Sequence, residues 1–225
     1  MIIEAIGDLL PVAVAVALSP IAIIGIVLVL RSPRARVSGP MFALGWLAGL
    51  VAVSIVVALI AARADDPDSG TSTIVNVVKI AIGALFLVLA VKQWRSRPAR
   101  GEEVEMPGWM ATLGSVSPSR ALVLGATLSA ANPKNLALTM AAAASIAEAG
   151  LDRAGTAVAI AGFVVLGSLG IAGLVVFYLL GPERASRPLA AIEQFMADNQ
   201  AVISMVILVV LGAKLIGDGI GGLQH

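Results

Sequence analysis

Six stretches of this chain, each around 20 residues long, are almost entirely apolar, and nothing else in the sequence restricts the fold as much. A bilayer core about 30 Å thick needs about 20 helical residues to cross it. The stretches run roughly from Ile6 to Leu30, Pro40 to Ala62, Ile74 to Val91, Ala121 to Ile146, Thr156 to Leu180 and Ala201 to Ile220. The third is the shortest, yet from Ile80 to Val91 it holds no polar side chain. Composition agrees: 59% of the residues are apolar and 13% charged, against about half and about a quarter in an ordinary soluble domain. A water-soluble fold of this size could not bury so much apolar surface, and disorder is excluded on the same ground. The expectation is an all-α integral membrane protein of six transmembrane helices, a single membrane domain over residues 1–225.

The first span is expected to be retained. Its leading charges are Glu4 and Asp8 where a signal peptide is basic, and no small-residue cleavage site follows a short apolar core. Orientation follows from Lys and Arg placement. The odd loops hold Arg31, Arg34, Arg36, Lys92, Arg95, Arg97, Arg100, Arg120, Arg184 and Arg187, whereas the even loops hold Arg63 and Arg153 beside carboxylates. The odd loops are therefore expected in the cytoplasm, with both termini outside a plasma (inner) membrane. The longest cytoplasmic connection, from Gln93 to about Ser119, switches from basic to acidic between Arg100 and Glu105, as a solvated linker does, with Trp109 at the interface. Between Ser186 and Gln200, Leu189, Ile192, Phe195 and Met196 share one helical face and Arg187, Glu193 and Asp198 the other, which predicts a short interfacial helix.

The halves are alike. Span one is interrupted by Ser19-Pro20 and span four by Asn132-Pro133, while spans three and six carry Gly83-Ala84 and Gly212-Ala213. Three spans is an odd number, so the second copy enters the membrane upside down. Matching helix breakers in corresponding spans mark inverted-repeat transporters. The expected layout is repeat one over 1–92, a linker over 93–118 and repeat two over 119–225, with spans one and four broken at Pro20 and Pro133.

Pro133 lacks an N–H, so the carbonyl of Ser129 loses its helical partner, and Pro20 does the same to Val16. Broken backbone at membrane depth is tolerated only inside protein or beside a watery cavity. Lys134 falls at the centre of span four, about 18 Å from either end at ~1.5 Å per residue, and a central Lys costs about 2.5–3.5 kcal/mol on insertion scales. No carboxylate lies at its depth. Either the ammonium bonds carbonyls released by Pro133 or Pro20, or it is neutral or meets an anionic substrate, or span four sits shallower. The candidate substrate-binding residues are Ser19, Pro20, Asn132, Pro133, Lys134 and Asn135. Lys79 and Lys214 are expected to snorkel to the outer interface, or else to form a vestibule with Asp8 and Asp218. Gly45-x-x-x-Gly49 and Gly217-x-x-x-Gly221 permit close helix contact, within the monomer or at a homodimer face.

Other chemistries are missing. The chain has no Cys, and its one His, His225, is the last residue, so thiol chemistry, Cys-ligated metals and His-rich metal sites are excluded. It contains no Walker loop, dinucleotide fingerprint or His-Glu-x-x-His. Neither an enzyme nor a cofactor is expected. The small juxtamembrane basic clusters suit anionic lipid at the cytoplasmic face, not nucleic acid.

Pro107-Gly108-Trp109-Met110, Ser117-Pro118-Ser119-Arg120-Ala121, Asn132-Pro133-Lys134-Asn135-Leu136 and Ala141-Ala142-Ala143-Ala144, with Val91-Lys92-Gln93-Trp94-Arg95, resemble the GAP family of membrane proteins. That family is also called the sulfolipid-addressing protein family, of the lysine-exporter (LysE) superfamily. The resemblance implies two inverted three-helix repeats and movement of glycolipids or peptidoglycolipids toward the cell surface. Ser19-Pro20-Ile21-Ala22 departs from the Pro-Gly-Pro of the amino-acid exporters, and the missing cysteines remove the electron-carrier branch. The expected function is export of an anionic or amphipathic envelope molecule, a glycolipid or peptidoglycolipid, by a transporter or transport partner. The alternatives are export of a small solute such as an amino acid, and a non-transporting scaffold within lipid-synthesis machinery.

Overall fold

In lipid every backbone polar group must be satisfied within the chain, which leaves helices as the economical solution for strongly apolar segments. The computed structural model describes residues 2–64, 71–95 and 116–223, and among them every regular element is an α-helix. There are eight: α1 (Ile2–Ala17), α2 (Pro20–Leu30), α3 (Ala35–Ala64), α4 (Thr71–Arg95), α5 (Pro118–Ala130), α6 (Pro133–Glu148), α7 (Arg153–Leu180) and α8 (Pro182–Gly222). The expected linker segment Arg100–Glu105, Trp109 and the terminal His225 lie outside the described residues.

Four helices (α3, α4, α7 and α8) are each long and apolar enough to cross a membrane. The pair α1–α2, bent by 52° at Leu18-Ser19, makes a fifth span if it counts as one. The fourth apolar stretch of the sequence divides into α5 and α6, of 13 and 16 residues. Each is shorter than the ~20 residues a span requires, and the polar run from Asn132 to Asn135 lies at their junction.

The short interfacial helix expected over Ser186–Gln200 is not a separate element. It is the first half of α8, which continues unbroken for 41 residues, about 60 Å at ~1.5 Å per residue. Pro188 falls in its second turn, where its missing N–H forfeits the bond to the Arg184 carbonyl without ending the helix, and no glycine or further proline follows before Gly212. The expected faces also shift: Ala185, Leu189 and Glu193 are buried at four-residue spacing, whereas Phe195 is exposed.

α2 is the centre of the bundle. It is apolar all round, and nine of its residues, from Pro20 to Leu30, are buried against α3, α5, α7 and α8. A helix surrounded by protein has no polar face to keep. The outer helices instead present large apolar side chains outward, among them Leu59, Val88, Val123, Val165 and Leu180. Such a belt is a liability in water and ordinary against acyl chains. The most extensive helix contacts are α3 with α5, α4 with α8 and α1 with α7.

Glycine makes these contacts possible. A Cβ on Gly45 would overlap the carbonyl oxygen of Leu122, and one on Gly125 would overlap that of Phe42, so α3 and α5 touch backbone to backbone. Between α4 and α8 the arrangement is reciprocal. A Cβ on Gly83 would stand 2.8 Å from the Gly212 carbonyl, and one on Gly212 would stand 2.9 Å from the Gly83 carbonyl. The first would also meet Ile216 and the second Leu87, each four residues beyond its partner glycine. The Gly217-x-x-x-Gly221 motif does not pack within the protein in this way: a Cβ on either residue would meet nothing within 4 Å. Gly212, Gly219 and Gly222 carry that face of α8 against α4.

Candidate functional site at two facing helix breaks

Both expected breaks exist, and they have the same local form. Ser19 caps α2 with φ −68° and ψ 108°, and Asn132 caps α6 with φ −69° and ψ 119°. Each is followed by proline as the first helical residue, where a fixed φ near −65° suits the helix and no N–H is wasted. The N-terminal ends of two half-helices, which carry partial positive charge, therefore stand at the breaks, that of α2 buried and that of α6 partly exposed.

The breaks touch through one side chain. Asn135, fully buried in the first turn of α6, donates from Nδ2 to the carbonyl of Leu128 at 2.9 Å and to Ser19 Oγ at 3.4 Å. The first bond bridges the break between α5 and α6, and the second ties that break to the one between α1 and α2. Thr139 Oγ1 donates to the Asn135 carbonyl at 2.8 Å, and Asn132 Oδ1 accepts from the Lys134 N–H at 3.1 Å. On the other side, the Val16 carbonyl that Pro20 deprives of a partner accepts from Ser19 N–H at 3.2 Å, in a tighter turn.

Ser19, Pro20 and Asn135 are buried, Asn132 and Lys134 are half-buried, and Pro133 is exposed. The Lys134 ammonium itself is buried and has no hydrogen-bond partner among the described residues. This corrects one expectation, that the ammonium bonds carbonyls released at Pro133 or Pro20. The Val16 carbonyl, the one released at Pro20, is taken by the Ser19 N–H. Asn135 Oδ1 is likewise buried and unpartnered. The breaks thus combine two positive helix ends, a buried amine and a free amide oxygen, an environment that attracts an anion carrying a hydroxyl or other donor.

Lys79 is buried, at 8% exposure. Asn76, one turn earlier on α4, lies against Gly219 and Gly222 of α8. Lys214 does pair with Asp218, at 2.7 Å across one helical turn.

Two features escaped sequence reading. Arg31, just past the end of α2, forms a 2.6 Å ion pair with Glu193 of α8, the carboxylate side chain being 12% exposed and the guanidinium 53%. The four-residue spacing of Ala185, Leu189 and Glu193 was the available signal. The second is a cavity of about 560 Å³ lined by Pro33, Arg34, Arg36, Val37, Pro118 and Tyr178. It gathers the α2–α3 turn, the start of α5 and the end of α7 at one end of the bundle, and none of the break residues lines it.

A family model described as "Sap, sulfolipid-1-addressing protein" matches residues 9–221. No curated protein and no solved structure matches the chain.

Proposed function

The chain belongs to the sulfolipid-1-addressing protein family, and from that premise we propose that it exports an amphipathic, anionic envelope lipid, passing the polar head between the two helix breaks. The observation that carries this reading is the meeting of the breaks: two half-helices with matching caps, joined through Asn135 to Ser19, beside a buried ammonium with no partner. Half-helix N-termini aimed at an anionic group are a recurring device of substrate sites in transporters.

The reading includes two inverted repeats, α1–α4 and α5–α8. Exchange of the halves turns the α1–α7 contact into the α5–α3 contact and returns the α4–α8 contact to itself, and both pairs are extensive. The reciprocal Gly83–Gly212 contact supports the same relation. A two-fold axis in the membrane plane would pass near those glycines and between the breaks.

Orientation in this reading follows charge. Arg31, Arg34, Arg36, Arg120, Arg184 and Arg187 cluster where α2 ends, α3, α5 and α8 begin and α7 ends. That end is assigned to the cytoplasm of the inner membrane, with both termini outside. Labelling of single cysteines in intact cells tests it: an impermeant reagent should modify Arg153→Cys and not Arg34→Cys.

Function is tested with a deletion strain by comparing total and surface-exposed envelope lipids. Export predicts lipid made at normal amount but missing from the surface. Failure to make the lipid would favour a scaffold in its synthesis, and build-up of a small solute inside the cell would favour a solute exporter.

A further inference from the structure

We propose that the 560 Å³ cavity at the arginine-rich end of the bundle binds the tetrahedral oxyanion, sulfate or phosphate ester, of an amphipathic lipid. Its lining brings together Arg34, Arg36 and Tyr178 and, among the described residues, contains no carboxylate. Neither guanidinium has a hydrogen bond or ion pair among the described residues, in contrast to Arg31 three residues earlier, which is committed to Glu193. Both are also poorly placed for the helix they begin. Arg34 precedes α3 by one residue and Arg36 lies in its first turn, where the helix dipole disfavours cations. Pro118, the first residue of α5, brings a second positive helix end to the same cavity. Two unpaired guanidiniums and two helix N-termini make a site for an anion, and the planar fork of Arg matches the paired oxygens of sulfate and phosphate.

The remaining walls distinguish a lipid from a free ion. Pro33, Val37 and Pro118 are apolar, and Val37 is 54% exposed at the start of a span. An acyl or glycan portion can leave the cavity along that side while the head stays with the arginines. Tyr178, two residues before the end of α7, is where aromatic side chains mark the headgroup layer. As a binding site this cavity stands on its own geometry. As the place where cargo is taken up before reaching the breaks, it rests on the export reading above.

The test uses full-length protein purified in detergent and titrated with fluorescent phosphatidylglycerol, sulfatide and phosphatidylcholine. The anionic probes should bind at least about tenfold more tightly than phosphatidylcholine. Arg34→Gln/Arg36→Gln should weaken them by at least about tenfold, the scale of a lost charge-assisted bond. Arg34→Lys/Arg36→Lys should fall between, because charge remains without the fork. Both side chains are exposed and unpaired, so thermal stability should not change, and a melting curve checks this. The ratio of sulfatide to phosphatidylglycerol affinity identifies the preferred head. Wild-type affinity in the Gln double variant would overturn the site. Complete displacement of the probes by millimolar sodium sulfate or phosphate would overturn the amphipathic part. Surface lipid in cells reports separately: a variant that fails to bind yet displays normal surface lipid overturns the uptake role while the binding site stands.

Discussion

Replacing Lys134 by Met separates a structural role from a functional one, because the two give opposite signs. The Lys134 ammonium is buried without a hydrogen-bond partner among the described residues, and the Val16 and Leu128 carbonyls beside the breaks are engaged by other groups. It therefore contributes no hydrogen bond to the fold among the described residues and carries the desolvation cost of a buried amine. Met has nearly the same length and no charge. On this reasoning Lys134→Met loses nothing that holds α6 in place, and the purified variant should melt at or above the temperature of the wild type. Its abundance in the membrane should be unchanged. Export, measured as the ratio of surface to total envelope lipid, should fall to the level of the deletion strain, and Lys134→Arg should keep part of it because the charge remains while the shape changes. Normal export by Lys134→Met at wild-type abundance would refute the functional assignment. A melting temperature well below wild type would refute the premise that the amine is unpartnered.

Asn135→Leu removes the bond that joins the two breaks and the bond that bridges α5 to α6, and leaves the buried Ser19 hydroxyl and Leu128 carbonyl without those partners. At about 1–3 kcal/mol per unpaired group, a fall in melting temperature is expected together with loss of export. The Arg31–Glu193 pair should respond unequally to its two single changes. Arg31→Met strands a carboxylate that is 12% exposed, whereas Glu193→Gln frees a guanidinium that is 53% exposed and reaches water. The first should cost about 2 kcal/mol or more and the second about 1 or less, read as the order of their melting temperatures. Gly45→Ala should prevent stable assembly, since its Cβ would overlap the Leu122 carbonyl, while Gly217→Ala should be neutral because nothing lies within 4 Å. Size-exclusion profiles of the two solubilised variants check this contrast.

Much of the molecule was legible in the chain. Apolar runs longer than a bilayer needs leave the backbone no option but helix, so the boundaries of α3, α4 and α7 fall within a few residues of the expected Pro40–Ala62, Ile74–Val91 and Thr156–Leu180. Proline acts locally, through its missing N–H and fixed φ. Hence Pro20 and Pro133 announce the breaks wherever the helices lie in space, and two such dipeptides at corresponding places predict a meeting that Asn135 and Ser19 make.

What required tertiary structure is everything that depends on which faces meet. The side chains that bridge the breaks are such a case: Asn135 reaches back seven residues to the Leu128 carbonyl, across the break between α5 and α6. The continuity of α8 is another, because a stretch half apolar and half charged reads as two elements until Ala185, Leu189 and Glu193 are seen buried together. Glu193 belongs by type to the charged face of that segment, yet it is buried. Its partner stands 162 positions earlier, a separation about which local pattern carries no information. The sequence of glycines, likewise, cannot say that Gly45 and Gly212 pack while Gly217 and Gly221 do not, since that depends on the neighbour each helix face receives. Helix formation is determined within a few residues, so sequence alone determines it. The pairing of faces is a property of the whole bundle, and only the bundle decides it.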